Sequence, residues 1–273
     1  MAVLDTVWEE SATMRKNAVL SALVGLIAGV TLAATSPVMA AAPASTDKMA
    51  TSNGDLVIHP VSHATMALSW NGKTIYVDPA PAPGSAAGAD GAAGFQGLPP
   101  ADFILVGHQH GDHFSVPALQ KLVSANTVLV VPQDIADKLP ADLKAKAKVL
   151  ANGMSTDIAG VKIEAVPAYN VSADKLQFHP KGRDNGYVLN MGGKRIYIAG
   201  DTEGVPEMLA LKNIDAAFIP MNLPYTMTPE AAATAVLGFK PKIVYPYHYG
   251  QSDLSVFEKG VGNSVEVRRL KWY

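Results

Sequence analysis

The sequence predicts an α/β fold in which two sheets pack face to face and helices cover each outer side. Three observations point there. Short strand patterns arrive in two groups with helices interspersed, an order that two covered sheets would bury. The runs "ADFILVGH" and "TVLVVP" are continuously apolar, as strands covered on both faces are. Of 273 residues, 48% are hydrophobic and 17% charged, enough for a sizeable core and too apolar for wholesale disorder. A single doubly wound sheet fits the same periodicity, so pattern alone leaves that alternative open.

The N-terminal 40 residues read as an export signal. Arg15 and Lys16 precede an apolar run from Ala18 to Ala34, and small residues follow. Val38 and Ala40 suit the positions before a signal peptidase cut, which makes Ala41 the first mature residue and the periplasm or the exterior its destination. Residues 1–13 carry Asp5, Glu9 and Glu10, unlike a signal n-region, so Met14 reads as the true start. The competing reading is an uncleaved anchor, because the run is nearly long enough to span a bilayer. The cleavage site directly after it favours release, with no stable anchor afterwards.

Residues 41–53 form a polar linker, and the predicted domain occupies 54–273. "LVIHPV", "TMALSW" and "KTIYVD" read as strands, the last two joined by the tight Asn71-Gly72 turn. Residues 80–100, mostly Pro, Gly and Ala, predict a mobile loop. "ADFILVGH" is a strand, and Ser115 caps a helix with Pro117 in its first turn. "TVLVVP" is a strand and "QDIADKL" a short helix. "AKVLAN", "VKIEAVPA", "GYVLNM" and "RIYIAGD" are further strands, with a hairpin turn at Gly192-Gly193. "EMLALK" is a short helix and "DAAFIPM" a strand. Thr228 caps a helix starting at Pro229, and "KIVYPYH" is the last clear strand. No repeat of fixed period is present.

Chemistry concentrates in "HQHGDH", which holds three of the seven histidines. In extended chain His108 and His110 point the same way and can grip one ion, while Asp112 and His113, past Gly111, can face a second. The imidazoles suit Zn, Fe, Mn or Ni, and Asp112 is a hard oxygen donor. Asp201 in "IAGDT" and His248 in "YPYHYG" each end an apolar strand, where layered α/β scaffolds place their functional groups. The chain has no cysteine, so thiolate sites, disulfides and cysteine nucleophiles are excluded. Its net charge of -2 gives no reason to expect nucleic acid. No serine nucleophile elbow is present.

"HQHGDH", "GDT" and "PYHYG", in that order, resemble the metallo-β-lactamase superfamily, with its His-x-His-x-Asp-His signature and later Asp and His ligands. The resemblance spans roughly Asp55 to Gly250. It implies a four-layer αβ/βα sandwich holding two divalent ions, zinc or manganese. By that carry-over His108 and His110 bind the first ion, Asp112, His113 and His248 the second, and Asp201 bridges them. "VSHATMALSWNGKTIYVDP" is similar to the ascorbate-6-phosphate lactonase-like branch and, more distantly, to phospholipase D-type members acting on N-acylethanolamine lipids. That makes His63 and Asp78 neighbours of the site. Asp112 and His63 are the catalytic candidates; a structural histidine is the other reading of His63. One departure stands out. Where the family has a third histidine for the first ion this chain has Asn170, and His179 is the only histidine between "HQHGDH" and "GDT". His179 is therefore expected to complete the first site, with Asn170 supporting it or facing substrate.

Lys181 and Arg183 beside His179 are candidates to neutralise an anionic small-molecule substrate, unless they belong to a solvated loop. Tyr225, with Tyr169, Tyr247 and Tyr249, is a candidate pocket wall or oxyanion donor. The expected function is an exported metal-dependent hydrolase cleaving a lactone, ester or phosphodiester. The alternatives are a lipid or nucleotide phosphodiesterase of the envelope, and a non-catalytic metal- or partner-binding protein. Lactam hydrolysis is disfavoured, since members with that activity lack the bridging aspartate.

Overall fold

The computed structural model describes residues 45–273; the predicted signal peptide and its cut after Ala40 lie outside them. In the first sheet β1 (Asp47–Thr51), β2 (Gly54–Ser62), β3 (Thr65–Trp70) and β4 (Lys73–Val77) run antiparallel in chain order. β5 (Phe103–Leu105), β6 (Val128–Val131) and β7 (Ala147–Val149) continue it as parallel strands. Asn71 and Gly72 both take positive φ, 48° and 70°, the conformation a two-residue hairpin turn needs between β3 and β4. The helices α1 (Val116–Leu122), α2 (Gln133–Lys138) and α3 (Ala141–Lys144) connect the parallel strands, and the Ser115 side chain caps α1 by accepting from the Ala118 N–H.

The second sheet repeats the plan. β8 (Ser155–Ile158), β9 (Val161–Ala168), β10 (Asp184–Met191) and β11 (Lys194–Ile198) are antiparallel, and β12 (Ala216–Pro220), β13 (Ile243–Tyr247) and β14 (Glu266–Val267) extend them in parallel. Here the helices are α4 (Pro206–Leu209), α5 (Pro229–Phe239, capped by Thr228) and α6 (Leu254–Val261). The two halves share a strand order that no sequence period announces.

Side-chain alternation decides the architecture. Met66 and Leu68 of β3 join Leu189, Ile196 and Phe218 of the second sheet in a core between the sheets. Ala67, between them in sequence, faces the other way and packs with Tyr76, Leu119 and Ile135 under the first helix layer. Ala217 and Ile219 flank Phe218 and pack against Met208, Val236 and Phe257 of the second helix layer. β3 and β12 thus each feed two different cores, as a period of two requires. The result is the four-layer αβ/βα sandwich, not the doubly wound sheet.

Several segments differ from expectation. The region read as linker to Asn53 contains β1, an edge strand on which only Met49 is buried. β8, α6 and β14 lie where no element was expected. The loop at 80–100 is anchored, because Phe95 is buried with its ring 4.1 Å from that of Tyr76.

Candidate metal centre

Six of the seven histidines gather with three carboxylates at one edge of the sandwich. His63 sits in the turn from β2 to β3, Asp78 follows β4, and the "HQHGDH" loop follows β5. Asp201 follows β11 and His248 follows β13. His179 comes from the long connection between β9 and β10. Gly107 lets the chain pass close at the base. Its N–H donates to Asp78 Oδ1 at 2.7 Å, and a side chain there would meet the Asn185 carbonyl at 3.0 Å.

The side chains form two donor sets joined by one carboxylate. His108, His110, His179 and Asp201 present ligand atoms within 4.8 Å of one another, as do His113, Asp201 and His248. Asp201 Oδ2 lies 3.4 Å from His179 Nε2 and 3.8 Å from His108 Nε2. Its Oδ1 lies 3.4 Å from His113 Nε2 and 3.3 Å from His248 Nε2. Asp112 Oδ2 approaches His248 Nε2 at 3.5 Å and His63 Nε2 at 3.0 Å. The structure thus gathers His108, His110 and His179 on one side of Asp201 and His113 and His248 on the other, and it groups Asp112 with His63 and His248.

Hydrogen bonds behind the imidazoles aim them. His113 Nδ1 donates to Asp78 Oδ2 at 2.8 Å, turning Nε2 inward. His179 Nδ1 donates to Asp184 Oδ2 at 3.3 Å, and Arg183 grips both oxygens of Asp184. The Gly250 N–H donates to the Tyr273 hydroxyl at 2.9 Å, 2.8 Å from His63 Nδ1. An ionised Asp112 can only accept, so His63 carries its proton on Nε2 and takes the Tyr273 hydroxyl proton at Nδ1. Among the described residues, three of the seven non-glycine residues with positive φ, His63, Asp78 and His248, are found here. Such conformations cost on the order of 1–3 kcal/mol each and persist where surrounding bonds hold them. The His248 N–H to His63 carbonyl bond, 3.1 Å, is one of those.

The electrostatics favour a cation. Burial, then the neighbouring His113, His179 and His110, push His108 well below the usual imidazole pKa, so it stays neutral and able to ligate. Burial also works against a charge on His113, but Asp201 and Asp78 outweigh it and raise its pKa to about 10. The two carboxylates thus attract positive charge at the position Nε2 faces. Burial likewise opposes charge on Asp112, yet the His248 imidazole beside it, the hydrogen bond from His63 and the charge of His113 hold it ionised. Among the described residues, six of the eleven buried side-chain polar atoms lacking a hydrogen-bond partner belong to His108, His113, His179, Asp201 and His248. Orphaned donors this concentrated normally mark a ligand. The residues fit divalent ions: imidazoles backed by carboxylates, with carboxylate oxygens completing each set.

Three expected substrate contacts lie elsewhere. Asn170 is buried, and its Nδ2 donates to the Lys175 and Tyr225 carbonyls, so it ties two loops instead of facing the cleft. Its backbone N–H does support His179, donating to that residue's carbonyl at 2.8 Å. Lys181 pairs with Glu207 at 3.4 Å and sits over the Tyr169 ring, while Arg183 serves Asp184. Tyr225 does line the cleft, as do His63, Asp112 and Asp201. Tyr247 is buried and accepts from the Gly200 N–H, and Tyr169 donates to Glu207. Sequence reasoning missed Asp184, Tyr273 and Phe178. Only Asp184 left a trace, in the "GRDNG" that follows His179.

A family model described as the β-lactamase superfamily domain matches residues 57–248. The chain belongs to the metallo-β-lactamase superfamily. A UPF0173 metal-dependent hydrolase of Thermococcus onnurineus is 36% identical over 180 residues, covering 63% of this chain and 79% of its own. A crystal structure assigned to a metal-dependent hydrolase of Parabacteroides distasonis superposes with TM-score 0.74 and 39% identity, covering 84% of this chain and 99% of that one. The metallo hydrolase Igni18 of Ignicoccus hospitalis shares the fold at TM-score 0.63 and 21% identity, covering 79% of this chain and 94% of its own. Within the superfamily, the chain is a metal-dependent hydrolase.

Proposed function

We propose that this hydrolase cleaves a lactone, ester or phosphodiester, and that its residues would hold two divalent ions, zinc or manganese, which would supply the activation of water. The observation that carries the reading is Asp201, whose two oxygens each face a different donor set. His108, His110 and His179 would hold one ion with Asp201, and Asp112, His113 and His248 the other. When bound, such ions supply Lewis acidity that lowers the pKa of water and polarises the electrophilic oxygen.

The chain's own groups do the rest. Asp78 and Asp184 keep His113 and His179 aimed. Asp112 is the ligand candidate whose carboxylate is both in the cleft and partly exposed, at 26%, so it can meet the attacking water. Its carboxylate, held ionised, could take the water's proton and pass it to the leaving group. His63 Nε2–H, 3.0 Å away, steadies Asp112 through that transfer. The likeness of the His63–Asp78 segment to lactonase-type members supports a lactone among the substrates. Export, as the N-terminus suggests, places the reaction away from the cytoplasm, where sugar-phosphate lactones mainly occur.

The test is a screen of metal-loaded mature protein against lactones, p-nitrophenyl esters, bis-p-nitrophenyl phosphate and a chromogenic β-lactam. Metal-dependent turnover in one of the first three classes, and none of the lactam, is expected. Full metal loading with no turnover of any would favour the binding-protein alternative.

A further inference from the structure

The cleft over the ligand candidates encloses about 550 Å³, the size of a small-molecule site. Among the described residues no lysine or arginine lines it. Cations near it in sequence are committed elsewhere: Lys181 to Glu207, Arg183 to Asp184, Lys175 to Glu203 and the Thr226 carbonyl. One wall, by contrast, is apolar and firmly built. The rings of Phe178 and Tyr225 meet edge to face with centroids 5.0 Å apart. Beneath them Asn170 bridges the two loops through the Lys175 and Tyr225 carbonyls. On the same loops Leu176 and Leu223 remain 48% and 46% exposed. These leucines add exposed apolar surface to the two loops that carry the wall.

Resting on the hydrolase reading above, we propose that the substrate is an ester or lactone whose non-reacting part is apolar and uncharged. Its acyl or aryl portion lies against Phe178 and Tyr225 while the scissile carbonyl reaches the metal centre. Water oxygen bonds to the acyl carbon, the acyl–oxygen bond breaks, and the alcohol departs with a proton from that water. A second anionic group, such as a remote phosphate or carboxylate, would find no protein cation to meet it.

Three p-nitrophenyl esters of matched electrophile test this on metal-loaded protein: the acetate, the hexanoate, and the adipate half-ester, whose chain ends in a carboxylate. The hexanoate should exceed the acetate in kcat/KM by about tenfold or more, well within what four buried methylenes can supply. The adipate half-ester should fall at least about tenfold below the hexanoate, because its charge would be desolvated without a partner. Tyr225→Ala and Phe178→Ala should bring the hexanoate-to-acetate ratio towards one with metal content unchanged. Lys181→Ala should alter none of the three rates. An adipate half-ester cleaved as well as the hexanoate, or a ratio that survives both aromatic substitutions, would overturn the proposal. If no ester is turned over, ester hydrolysis itself fails, and binding then judges the pocket. Calorimetry should show hexanamide binding tighter than adipic acid monoamide; equal or weaker binding would overturn it.

Discussion

Asp201 is the residue on which the site turns, because only its carboxylate reaches both donor sets. Asp201→Ala should drop metal content from near two equivalents per chain to about one or less, read by mass spectrometry of the desalted protein. Asp184→Asn leaves His179 in place but weakens its backing, and should cost the first site about 10- to 100-fold in metal affinity by competition with a chromogenic chelator. Asn170→His, which restores the family's residue, should not tighten that site, since the side chain points at two carbonyls. It should instead cost stability, on the order of 1–3 kcal/mol for the bonds lost. At this scale the clustering of the motif side chains was legible because imidazoles crowded into "HQHGDH" are costly to bury unless an ion shares them. His179 was legible because the interval holds no other histidine. Tyr273 was not, since its bond to His63 spans 210 positions and no spacing encodes it. Lys181 and Arg183 misled for the opposite reason. They neighbour His179 in sequence, but the chain turns at Gly182, with φ at 88°, and carries their side chains to Glu207 and Asp184.

Among the elements, the central strands were read well and the edges poorly. β5, β6, β12 and β13 are buried on both faces, so hydrophobicity marks them. β1, β8 and β14 form through ladder bonds with a neighbour and bury few side chains, leaving little apolar signal. β1 is pinned across the sandwich by polar contacts: Asp47 accepts from the Tyr245 hydroxyl at 2.7 Å and from Arg268 at 2.9 Å. Burial works against the Asp47 charge, but those bonds outweigh it and hold its pKa below the usual 3.8. The stabilisation is thus complete above that value and is lost as pH falls through the folded pKa. Asp47→Asn should be less stable than the parent at pH 7, with the gap shrinking as pH falls below the usual carboxylate range, measured by denaturant midpoints. In the inter-sheet core, Phe218 stacks on Tyr245 with centroids 4.9 Å apart. Phe218→Ala should cost about 3–5 kcal/mol.

At the scale of the whole molecule, two halves of like strand order face each other and the metal centre lies at one edge of the seam. The ligand candidates come from both halves, His108, His110, Asp112 and His113 from the first and His179, Asp201 and His248 from the second. Metal binding therefore couples the halves, and chelation should lower the melting temperature, with recovery on adding zinc or manganese. The strand grouping pointed to two covered sheets without excluding a doubly wound one, and the motif resemblance implied the four layers, whereas the matching halves were not legible, because only strand order repeats. Expression from Met14 in a Gram-negative host should yield periplasmic protein beginning at Ala41; an uncut chain in the inner membrane would favour the anchor. The central claim, two ions bridged by Asp201 with His179 completing the first set, is tested most directly by anomalous diffraction from crystals grown with zinc. It predicts two peaks about 3.5–4 Å apart on either side of Asp201, one among His108, His110 and His179, the other among Asp112, His113 and His248. A single peak, or two peaks with His179 away from both, would contradict it.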